Sequence, residues 1–539
     1  MTDFNFQQLS SLAKVFKDRI YGDSSDHATC VRGQAVSYQI AIRGEGEYTF
    51  NIESPLKDSI KVYRVGYVPS DMCAYPHAND ENYITTEAGL FPDPLFPIEE
   101  GSFKLDTDEY FTLWLNITVK NEEKAGKYPV NVYFYKENKQ VGMSTYILEI
   151  KNEILPEQSL IFTQWFHTDC IADVHNTEVF SPLHWELIEK YVKMASDHGM
   201  NMILTPVLTP PLDTEIGGER TTVQLADVEK TDEGYIIDLS RLERFIDLCL
   251  ANGIRYFEIN HFFTQWGAKS APKVIARVNG EEKRIFGWET DASSPEYKEF
   301  LSALVPMIID TFAKKGIDKT KLYFHVSDEP NDDQLESYRV AASVLMPLIE
   351  GCNHMDALSH FEFYKEKLVP VPVVGTNALE PFIEADIKDL WCYYCCAQAT
   401  TVANRFFAMP SYRNRIIGVQ MYKYGMAGFL HWGYNFYNTQ HSKKKINPYE
   451  ITDAGGAFPS GDSFSVYPYG NDVIPSLRQK VFKEALDDIR LLTLLEKRIG
   501  KAETVRLIDN TAGMDITFKE YPHGEEFFVR LYENIFKLI

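Results

Sequence analysis

The segment that decides the fold is residues 294–330, SPEYKEFLSALVPMIIDTFAKKGIDKTKLYFHVSDEP. Ser294-Pro295 is typical of a helix N-cap with proline in the first turn, and Gly316 is a favourable helix C-terminus. The largely apolar residues 321–326 that follow (KLYFHV) predict a short buried strand. A helix that leads directly into a buried strand is the repeating unit of a parallel sheet with helical crossovers.

The same unit recurs on both sides of this segment. Ser181-Pro182 opens a helix that stops at Gly199, and Ser240 with Glu243 forms a capping-box pattern before another helix. Pro372 weakens one of the predicted strands because proline cannot donate to a ladder. The predicted strands are residues 159–166, 201–205, 255–260, 321–326, 357–360, 371–375, 390–394, 417–421 and 428–432. Because the list is longer than eight, at least one strand is spurious, and we predict a (β/α)8 TIM-type barrel over residues 156–475.

The chain before the barrel follows a different pattern. Residues 35–151 alternate with a period near two and contain no convincing amphipathic helix. Turn-type residues such as Asn121-Glu122 separate the alternating segments, which predicts an antiparallel β-sandwich domain over residues 1–155. After the barrel, apolar residues at three- and four-residue spacing in 477–499 predict a long helix. We therefore expect residues 476–539 to be C-terminal helices packed on the barrel.

Composition limits the partners of this protein. The 539 residues include 54 basic and 77 acidic residues, which give a net charge of −23. Such a field repels polyanions, so nucleic acid is not an expected partner. Aromatic residues make up 13% of the chain, a content that suits large cores and also the rings on which sugars stack. We expect a small carbohydrate as the substrate, and a homo-oligomer is compatible with the sequence.

No segment suggests export or a membrane. The first 17 residues have no apolar core of a signal peptide, and later apolar runs are too short to span a bilayer, so we expect a cytoplasmic protein. The eight cysteines are scattered and are expected to be reduced thiols. Cys392 and Cys395 have CxxC spacing, but no second CxxC accompanies them, so we expect no metal and no cofactor.

The pair Asp328-Glu329 is the richest candidate for chemistry. It lies at the C-terminal end of a predicted barrel strand, where barrel active sites are built. Adjacent strand residues point to opposite faces, so both carboxyls can face one cleft only if the backbone leaves the β conformation, which Pro330 favours. Repulsion would then separate the two pKa values and supply an acid beside a charged group. The alternative is an acidic helix start with Asp332 and Asp333, and position alone does not decide between them.

Other predicted strand ends supply rings and hydrogen-bonding groups that suit a polyol ligand. Motifs of other enzyme classes are missing, because the sequence has no GxxxxGK[ST] loop, no GxSxG elbow and no HExxH helix. The candidate substrate-binding residues are Trp165, His167, Glu258, Asn260, His261, Tyr393, Tyr394, His431, Trp432, Asn435, Asp462 and Tyr467.

Two stretches of the sequence resemble one known family. Residues 324–330 (FHVSDEP), after a helix that ends in Gly-Ile-Asp, resemble the catalytic strand of glycoside hydrolase family 123. Residues 428–435 (GFLHWGYN), together with a later Gly-Asp loop, residues 466–468 (VYP) and residues 474–478 (IPSLR), resemble its C-terminal signature. The resemblance covers roughly residues 159–499, and the preceding sandwich also fits the layout of the family.

The resemblance implies a retaining β-N-acetylgalactosaminidase that uses substrate-assisted catalysis. By this resemblance Glu329 would be the general acid and base, and Asp328 would hold the 2-acetamido N–H of the substrate. No protein nucleophile would be needed, so the usual separation of two catalytic carboxyls would not apply. A tyrosine, Tyr393 or Tyr394, would donate to the acetamide oxygen.

Three alternatives stay open at this point. A glycosidase that acts on a sugar without an acetamido group could use Glu258 and Glu329 as an acid–nucleophile pair. A non-catalytic carbohydrate-binding protein would need the same rings and amides without turnover. A metal-dependent hydrolase would lose its activity to a chelator.

Overall fold

The N-terminal part of the computed structural model, which describes residues 4–106 and 108–539, is a β-sandwich. Its strands are β1 (Asn5–Ser10), β2 (Lys14–Val15), β3 (Ile20–Tyr21), β4 (His27–Arg32), β5 (Ala35–Arg43), β6 (Gly46–Glu53), β7 (Ile60–Ser70), β8 (Gly89–Pro97), β9 (Gly101–Leu105), β10 (Phe111–Thr118), β11 (Gly126–Lys136) and β12 (Lys139–Ile154). One sheet has the order β1-β5-β10-β7-β8, and the other has the order β4-β12-β11-β6-β9.

The two sheets enclose an aromatic core. Tyr38 of β5 and Tyr146 of β12 stack between them with ring centroids 4.0 Å apart. The predicted antiparallel sandwich is confirmed with one exception, because the edge strand β4 pairs with β12 in parallel. The alternating pattern identified most strands, but it could not give their direction, which depends on how the chain returns to the sheet edge.

The remaining strands follow Pro156. They are β13 (Ile161–Gln164), β14 (Met202–Thr205), β15 (Asp227–Thr231), β16 (Gly234–Asp238), β17 (Tyr256–Ile259), β18 (Val274–Val278), β19 (Glu281–Phe286), β20 (Leu322–Phe324), β21 (Asn353–Leu358), β22 (Val371–Gly375), β23 (Trp391–Tyr393), β24 (Gly428–His431), β25 (Val466–Tyr469) and β26 (Asp472–Pro475). Strands β15, β16, β18 and β19 form a separate four-stranded sheet, and β25 with β26 forms a hairpin.

The other eight strands form the predicted barrel. Neighbours in the order β13-β24-β23-β22-β21-β20-β17-β14 are all parallel. Strands β13 and β14 close the ring without a ladder. Instead, Asn201 bridges the seam, because its N–H donates to the Phe162 carbonyl at 3.2 Å and its Oδ1 accepts from the Phe162 N–H at 2.8 Å.

Helices cover the barrel and complete the C-terminus. They are α1 (Thr168–Val174), α2 (Pro182–Asp197), α3 (Ser240–Ala251), α4 (Pro295–Lys314), α5 (Leu335–Leu345), α6 (Glu362–Lys365), α7 (Glu380–Glu384), α8 (Ser411–Tyr424), α9 (Leu477–Ile499), α10 (Lys501–Ala512) and α11 (Glu526–Phe536). In the described part of the chain, no helix is both long and apolar enough to cross a bilayer.

Three local predictions can be compared with these elements. The predicted strand at residues 417–421 is wrong, because these residues lie inside α8, a helix that is buried on nearly all sides and therefore lacks a polar face. The predicted Ser240 cap is also wrong, because the Ser240 Oγ binds Asp238 at 2.5 Å instead. Ser294 caps α4 as predicted by accepting from the Tyr297 N–H.

The sandwich is attached to the barrel by a buried ion pair. Asp93 of β8 accepts two hydrogen bonds of 2.8 Å from the Arg478 guanidinium at the start of α9. A loop of the sandwich, residues 71–88, also reaches the barrel, where the Tyr75 hydroxyl donates to the Ala457 carbonyl at 3.0 Å. The N-terminal part therefore supports loops that follow the barrel strands.

Candidate active site

The backbone leaves the strand conformation where β20 ends. Glu329 has a φ of 41°, in the left-handed region that non-glycine residues rarely adopt. The turn leaves Asp328 half-buried and Glu329 exposed, whereas Ser327 and Pro330 on either side are buried. The predicted departure from β geometry is therefore present. A strained residue of this kind costs on the order of 1–3 kcal/mol and is typical of functional sites.

Asp328 lies in an environment that opposes its charge. Burial raises the pKa of its carboxyl well above the usual range, and the neighbouring Glu329 raises it further. Asp356 and Asp213 act in the same direction, while His325 acts against them. Among residues 4–106 and 108–539, no side-chain hydrogen bond reaches the Asp328 carboxyl. The oxygens of the Asp328 carboxyl are therefore available to accept a hydrogen bond from a ligand.

Glu329 is held by one of the two predicted tyrosines. The Tyr393 hydroxyl, at the end of β23, donates to Glu329 Oε1 at 2.5 Å. Glu329 is open to solvent on one side, but its carboxyl lies among barrel atoms, and this desolvation raises its pKa. The hydrogen bond from Tyr393 acts in the opposite direction, because it favours the ionised carboxylate.

A buried charged network lies beneath this pair. His325, the residue after β20, hydrogen-bonds through Nε2 to Glu258 of β17 at 2.7 Å and through Nδ1 to Asp356 of β21 at 2.8 Å. The side chains of all three residues are 0% exposed. Burial alone would lower the pKa of His325, but its bonds to the two acids outweigh burial and raise it to about 10.

The carboxylates of Glu258 and Asp356 also accept hydrogen bonds from other groups. Glu258 accepts from the Thr163 hydroxyl at 2.8 Å and from the Trp165 indole N–H at 2.6 Å. Asp356 accepts from the backbone N–H groups of Val326 and Ser327 and from the Tyr338 hydroxyl. Glu258 and Trp165, both predicted to bind substrate, therefore bind each other below the mouth of the barrel.

His261 stacks on His325 inside the same network. The ring centroids are 4.2 Å apart, and neither nitrogen of His261 has a hydrogen-bond partner among residues 4–106 and 108–539. His261, His325 and Asp356 are close enough together to suggest a metal site. However, both nitrogens of His325 are taken by carboxylates, and stacked rings do not point their lone pairs at one position. These residues do not fit a metal ion, and the His261 side chain is buried.

The ends of β13 and β24 contain several predicted residues that bind protein partners instead. Asn435 exchanges two hydrogen bonds, of 2.8 Å and 3.0 Å, with the backbone of His167. The His167 ring lies between the Trp432 carbonyl and Arg220, which forms a bidentate pair with Asp169. These groups satisfy one another in the interior, so their geometry indicates a structural role.

Most of the remaining predicted residues are also buried and bound to protein partners. Tyr394 donates to Asn414, Tyr467 to Asp93, and the Asn260 amide to the His261 carbonyl. All three are buried and bound to protein partners. Trp432 is half-buried, and its indole N–H donates at 2.9 Å to Asp462, which lies beside the buried His431. Of the twelve predicted binding residues, Tyr393 contacts the pair and Trp432 retains an accessible ring.

One wall of the site was not predicted. Asp213, in the loop after β14, accepts from the His441 N–H at 2.9 Å, and its own N–H donates to Gln265. Trp266 is 38% exposed and packs on the His441 ring with centroids 5.4 Å apart. Asp213, Trp266 and His441 all have positive φ, at 40°, 63° and 62°. No sequence pattern marks these loops, although Trp266 follows a predicted strand end.

A cavity of about 290 Å³ lies elsewhere, between the sandwich and the C-terminal helices. Its two buried acids have protein partners, because Glu484 binds Ser11 and Arg415 while Glu525 binds Ser10. These bonds join the N-terminal part to the C-terminal part of the chain. The strained, titratable groups at the barrel mouth are the better candidate for catalysis.

Comparison with known families identifies the chain. Residues 165–495, more than half of the sequence, match the family model described as the glycoside hydrolase 123 catalytic domain. The chain belongs to glycoside hydrolase family 123. The matched region runs from the end of β13 into α9 and includes the Asp328-Glu329 turn. The family resemblance inferred from the sequence is therefore confirmed, and the protein is a glycosidase.

One solved structure shares this fold. A family 123 glycoside hydrolase from Clostridium perfringens, described in a study of glycolipid glycan hydrolysis, matches with a TM-score of 0.74 at 13% identity and covers 99% of this chain and 97% of its own. A family 5 xyloglucanase from Bacteroides ovatus matches with a TM-score of only 0.32 at 10% identity, over 86% of this chain and 98% of its own. No protein with a curated description matches the sequence.

Proposed function

We propose that this family 123 enzyme is a retaining exo-β-N-acetylhexosaminidase, similar to an N-acetylgalactosaminidase, in which the acetamido group of the substrate is the nucleophile. The observation that carries the proposal is the pairing of two adjacent carboxyls, Asp328 and Glu329, on one strained turn. Neighbouring residues cannot lie on opposite sides of a sugar ring, as the acid and nucleophile of a conventional glycosidase must. A nucleophile supplied by the substrate removes this requirement.

Each residue of the pair has a separate role in the proposed reaction. Glu329 donates a proton to the glycosidic oxygen while the acetamide carbonyl oxygen attacks the anomeric carbon and the glycosidic bond breaks. The leaving group departs as an alcohol, and the sugar becomes an oxazolinium ion. Water then attacks the anomeric carbon, Glu329 accepts its proton, and the acetamido group re-forms. Asp328 accepts a hydrogen bond from the acetamido N–H and stabilises the positive charge of the intermediate.

Substrate binding determines which carboxyl of the pair carries the shared proton before the first step. The protein groups alone favour a proton on Asp328, because burial and Glu329 act on its pKa while Tyr393 favours an ionised Glu329. An acetamido N–H that donates to Asp328 favours the ionised form of Asp328. The shared proton then passes to Glu329, where the acid step needs it.

The surroundings of the pair favour an uncharged sugar. Asp213 adds a third carboxylate to the electrostatic environment of Asp328, so an anionic sugar would be repelled. The accessible rings of Trp266 and Trp432 suit the apolar face of a pyranose. These features support a small neutral carbohydrate with a 2-acetamido group.

A panel of aryl glycosides tests the proposal. Hydrolysis of aryl β-N-acetylgalactosaminide or β-N-acetylglucosaminide, with inhibition by the matching thiazoline, is the expected result, since the thiazoline mimics the cyclised intermediate. Turnover of aryl β-galactoside or β-glucoside at equal rates, without thiazoline inhibition, would overturn it. That outcome would support a glycosidase that acts on a sugar without the acetamido group.

The main alternative, with Glu258 as the nucleophile beside Glu329, is disfavoured by geometry. Glu258 is 0% exposed, and its carboxylate already binds Thr163, Trp165 and His325. A nucleophile needs a free oxygen in contact with the substrate. Glu258→Gln separates the two schemes, because loss of a protein nucleophile should abolish turnover even of an aryl glycoside with a good leaving group, whereas substrate-assisted turnover of that glycoside should persist.

A further inference from the structure

We propose that His325 is a positioning residue whose buried positive charge determines how the Asp328-Glu329 pair shares its proton. This inference rests on the proposed function and deepens it, because it concerns the same two carboxyls. His325 does not reach the mouth of the barrel and is 0% exposed. It acts on the reaction through Asp328, three residues further along the same turn.

The geometry fixes His325 as a cation. Its two ring nitrogens bind carboxylates on two different strands, Glu258 on β17 and Asp356 on β21. Each ring nitrogen of His325 therefore faces a carboxylate oxygen that can accept its N–H, and these two bonds raise the pKa of His325 to about 10. The third titratable group that faces the ring is His261, which burial keeps neutral by lowering its pKa well below the usual value.

The acids are themselves held by several elements. Glu258 is bound by Thr163 of β13 and by Trp165 just after it, and Asp356 by Tyr338 of α5 and by His354 of its own strand β21. These hydrogen bonds fix the positions of the two acids on either side of the His325 ring. Its charge is therefore a constant part of the site.

Asp328 experiences this charge directly. Of the four charged groups with the largest effect on Asp328 in the described chain, Glu329, Asp356 and Asp213 oppose its ionisation, and His325 alone favours it. Without the cation, three anions would surround a half-buried carboxyl. With the substrate bound, Asp328 would then compete more strongly for the shared proton, and Glu329 would carry the proton that it must donate in a smaller fraction of the complexes.

The test compares two substitutions at this position, one neutral and one charged. His325→Gln removes the charge, whereas His325→Lys keeps a cation between Glu258 and Asp356. In the pH profile of kcat/KM for an aryl β-N-acetylhexosaminide, the acidic limb reports the ionisation of the pair. Removing the cation raises the pKa of Asp328, so His325→Gln should move this limb to higher pH by on the order of one unit. It should also lower the plateau at least tenfold.

The charged variant and a network control separate charge from structure. His325→Lys should keep the acidic limb within a few tenths of a unit of the wild-type position. Thr163→Val removes the 2.8 Å hydrogen bond to Glu258 without changing any charge, and should leave the limb in place while lowering Tm. Equal upward shifts in His325→Gln and His325→Lys, or no shift in either folded variant, would overturn the proposal.

A second measurement does not depend on activity. The infrared carbonyl band of a protonated carboxyl, isolated as the difference between each protein and its Asp328→Asn counterpart, reports the titration of Asp328 directly. This band should persist to higher pH in His325→Gln than in wild type. Failure of wild type to hydrolyse any 2-acetamido glycoside would refute the proposed function alone. An unchanged infrared titration in His325→Gln would refute the role of His325 alone.

Discussion

The end of β20 and the ends of β13 and β24 lie at the same barrel mouth, but their polar side chains differ in burial and in hydrogen-bond partners. At β13 and β24, His167, Asn435 and Asp169 are buried and bound to protein partners. At β20, the Asp328 carboxyl has no side-chain hydrogen bond in the described residues, and Glu329 is strained and open. Polar residues that satisfy one another hold the barrel together, whereas those left with raised pKa values and free oxygens remain available for chemistry.

The largest expected effect is that of Glu329→Gln. Loss of the general acid should lower kcat/KM for an unactivated glycoside by about 10³-fold, because proton donation by a positioned side chain contributes 10²–10⁴-fold. The Tm should change little, since Glu329 is exposed and its backbone strain remains. Steady-state kinetics and calorimetry check both values. A fall in Tm without a kinetic defect would place Glu329 with the structural residues of β13 and β24.

The opposite behaviour is expected for Asp169→Asn at the end of β13. This change leaves the Arg220 guanidinium buried without its carboxylate, which should cost about 3 kcal/mol of unfolding free energy. The kcat/KM of the folded fraction should stay within about threefold of wild type, because neither residue contacts the pair. Chemical denaturation and active-site titration measure the two quantities. A normal stability with a large kinetic loss would overturn the structural assignment.

The adjacent residues Tyr393 and Tyr394 allow the same comparison at a single strand end, that of β23. Tyr393→Phe removes the 2.5 Å hydrogen bond to Glu329 and should lower kcat/KM about 10- to 30-fold. Because this bond lowers the pKa of Glu329, its loss should move the basic limb of the pH profile upward. The matched control is Tyr394→Phe, whose hydroxyl binds Asn414 at 3.3 Å and should affect stability alone. Equal kinetic losses in both variants would show that the two hydroxyls do not differ in this way.

The smallest expected effect is that of Asp213→Asn. Its carboxylate opposes the ionisation of Asp328, so its neutralisation should lower the pKa of Asp328 and move the acidic limb of kcat/KM down by a few tenths of a unit. The amide oxygen of asparagine can still accept from the His441 N–H, so the loop should keep its position. An upward movement of the limb would show that Asp213 acts through loop structure and not through charge.

Much of the fold followed from local patterns. The Ser294 cap, the Gly316 stop and the buried run before His325 mark one complete unit of the barrel. Their repetition predicted the barrel correctly, because caps and stops depend on backbone groups close in sequence. The wrong prediction of a strand at residues 417–421 also came from a local sequence pattern. In α8, polar residues such as Arg413, Asn414 and Gln420 are buried along with the apolar ones, so the apolar residues do not show a helical period.

The side-chain contacts of the candidate site were harder to predict from local sequence patterns. A strand end predicts that a polar side chain lies near the mouth, but not which partner it finds there. Tyr393 and Tyr394 are neighbours in sequence, yet one hydroxyl binds Glu329 and the other Asn414. Asp213 and His441 lie 228 residues apart and meet only after the barrel closes.

The sequence by itself determined the order of the elements, the barrel class, the family and the position of Asp328-Glu329 at a strand end. These features depend on periodicity, capping and a contiguous motif. Only the tertiary structure decided that Glu258 binds His325 beneath the mouth, that two carboxylates raise the pKa of the buried His325, and that the Asp328 carboxyl has no side-chain hydrogen bond among the described residues. The physical reason is that hydrogen-bond satisfaction and desolvation depend on groups from different strands, which the linear chain does not bring together.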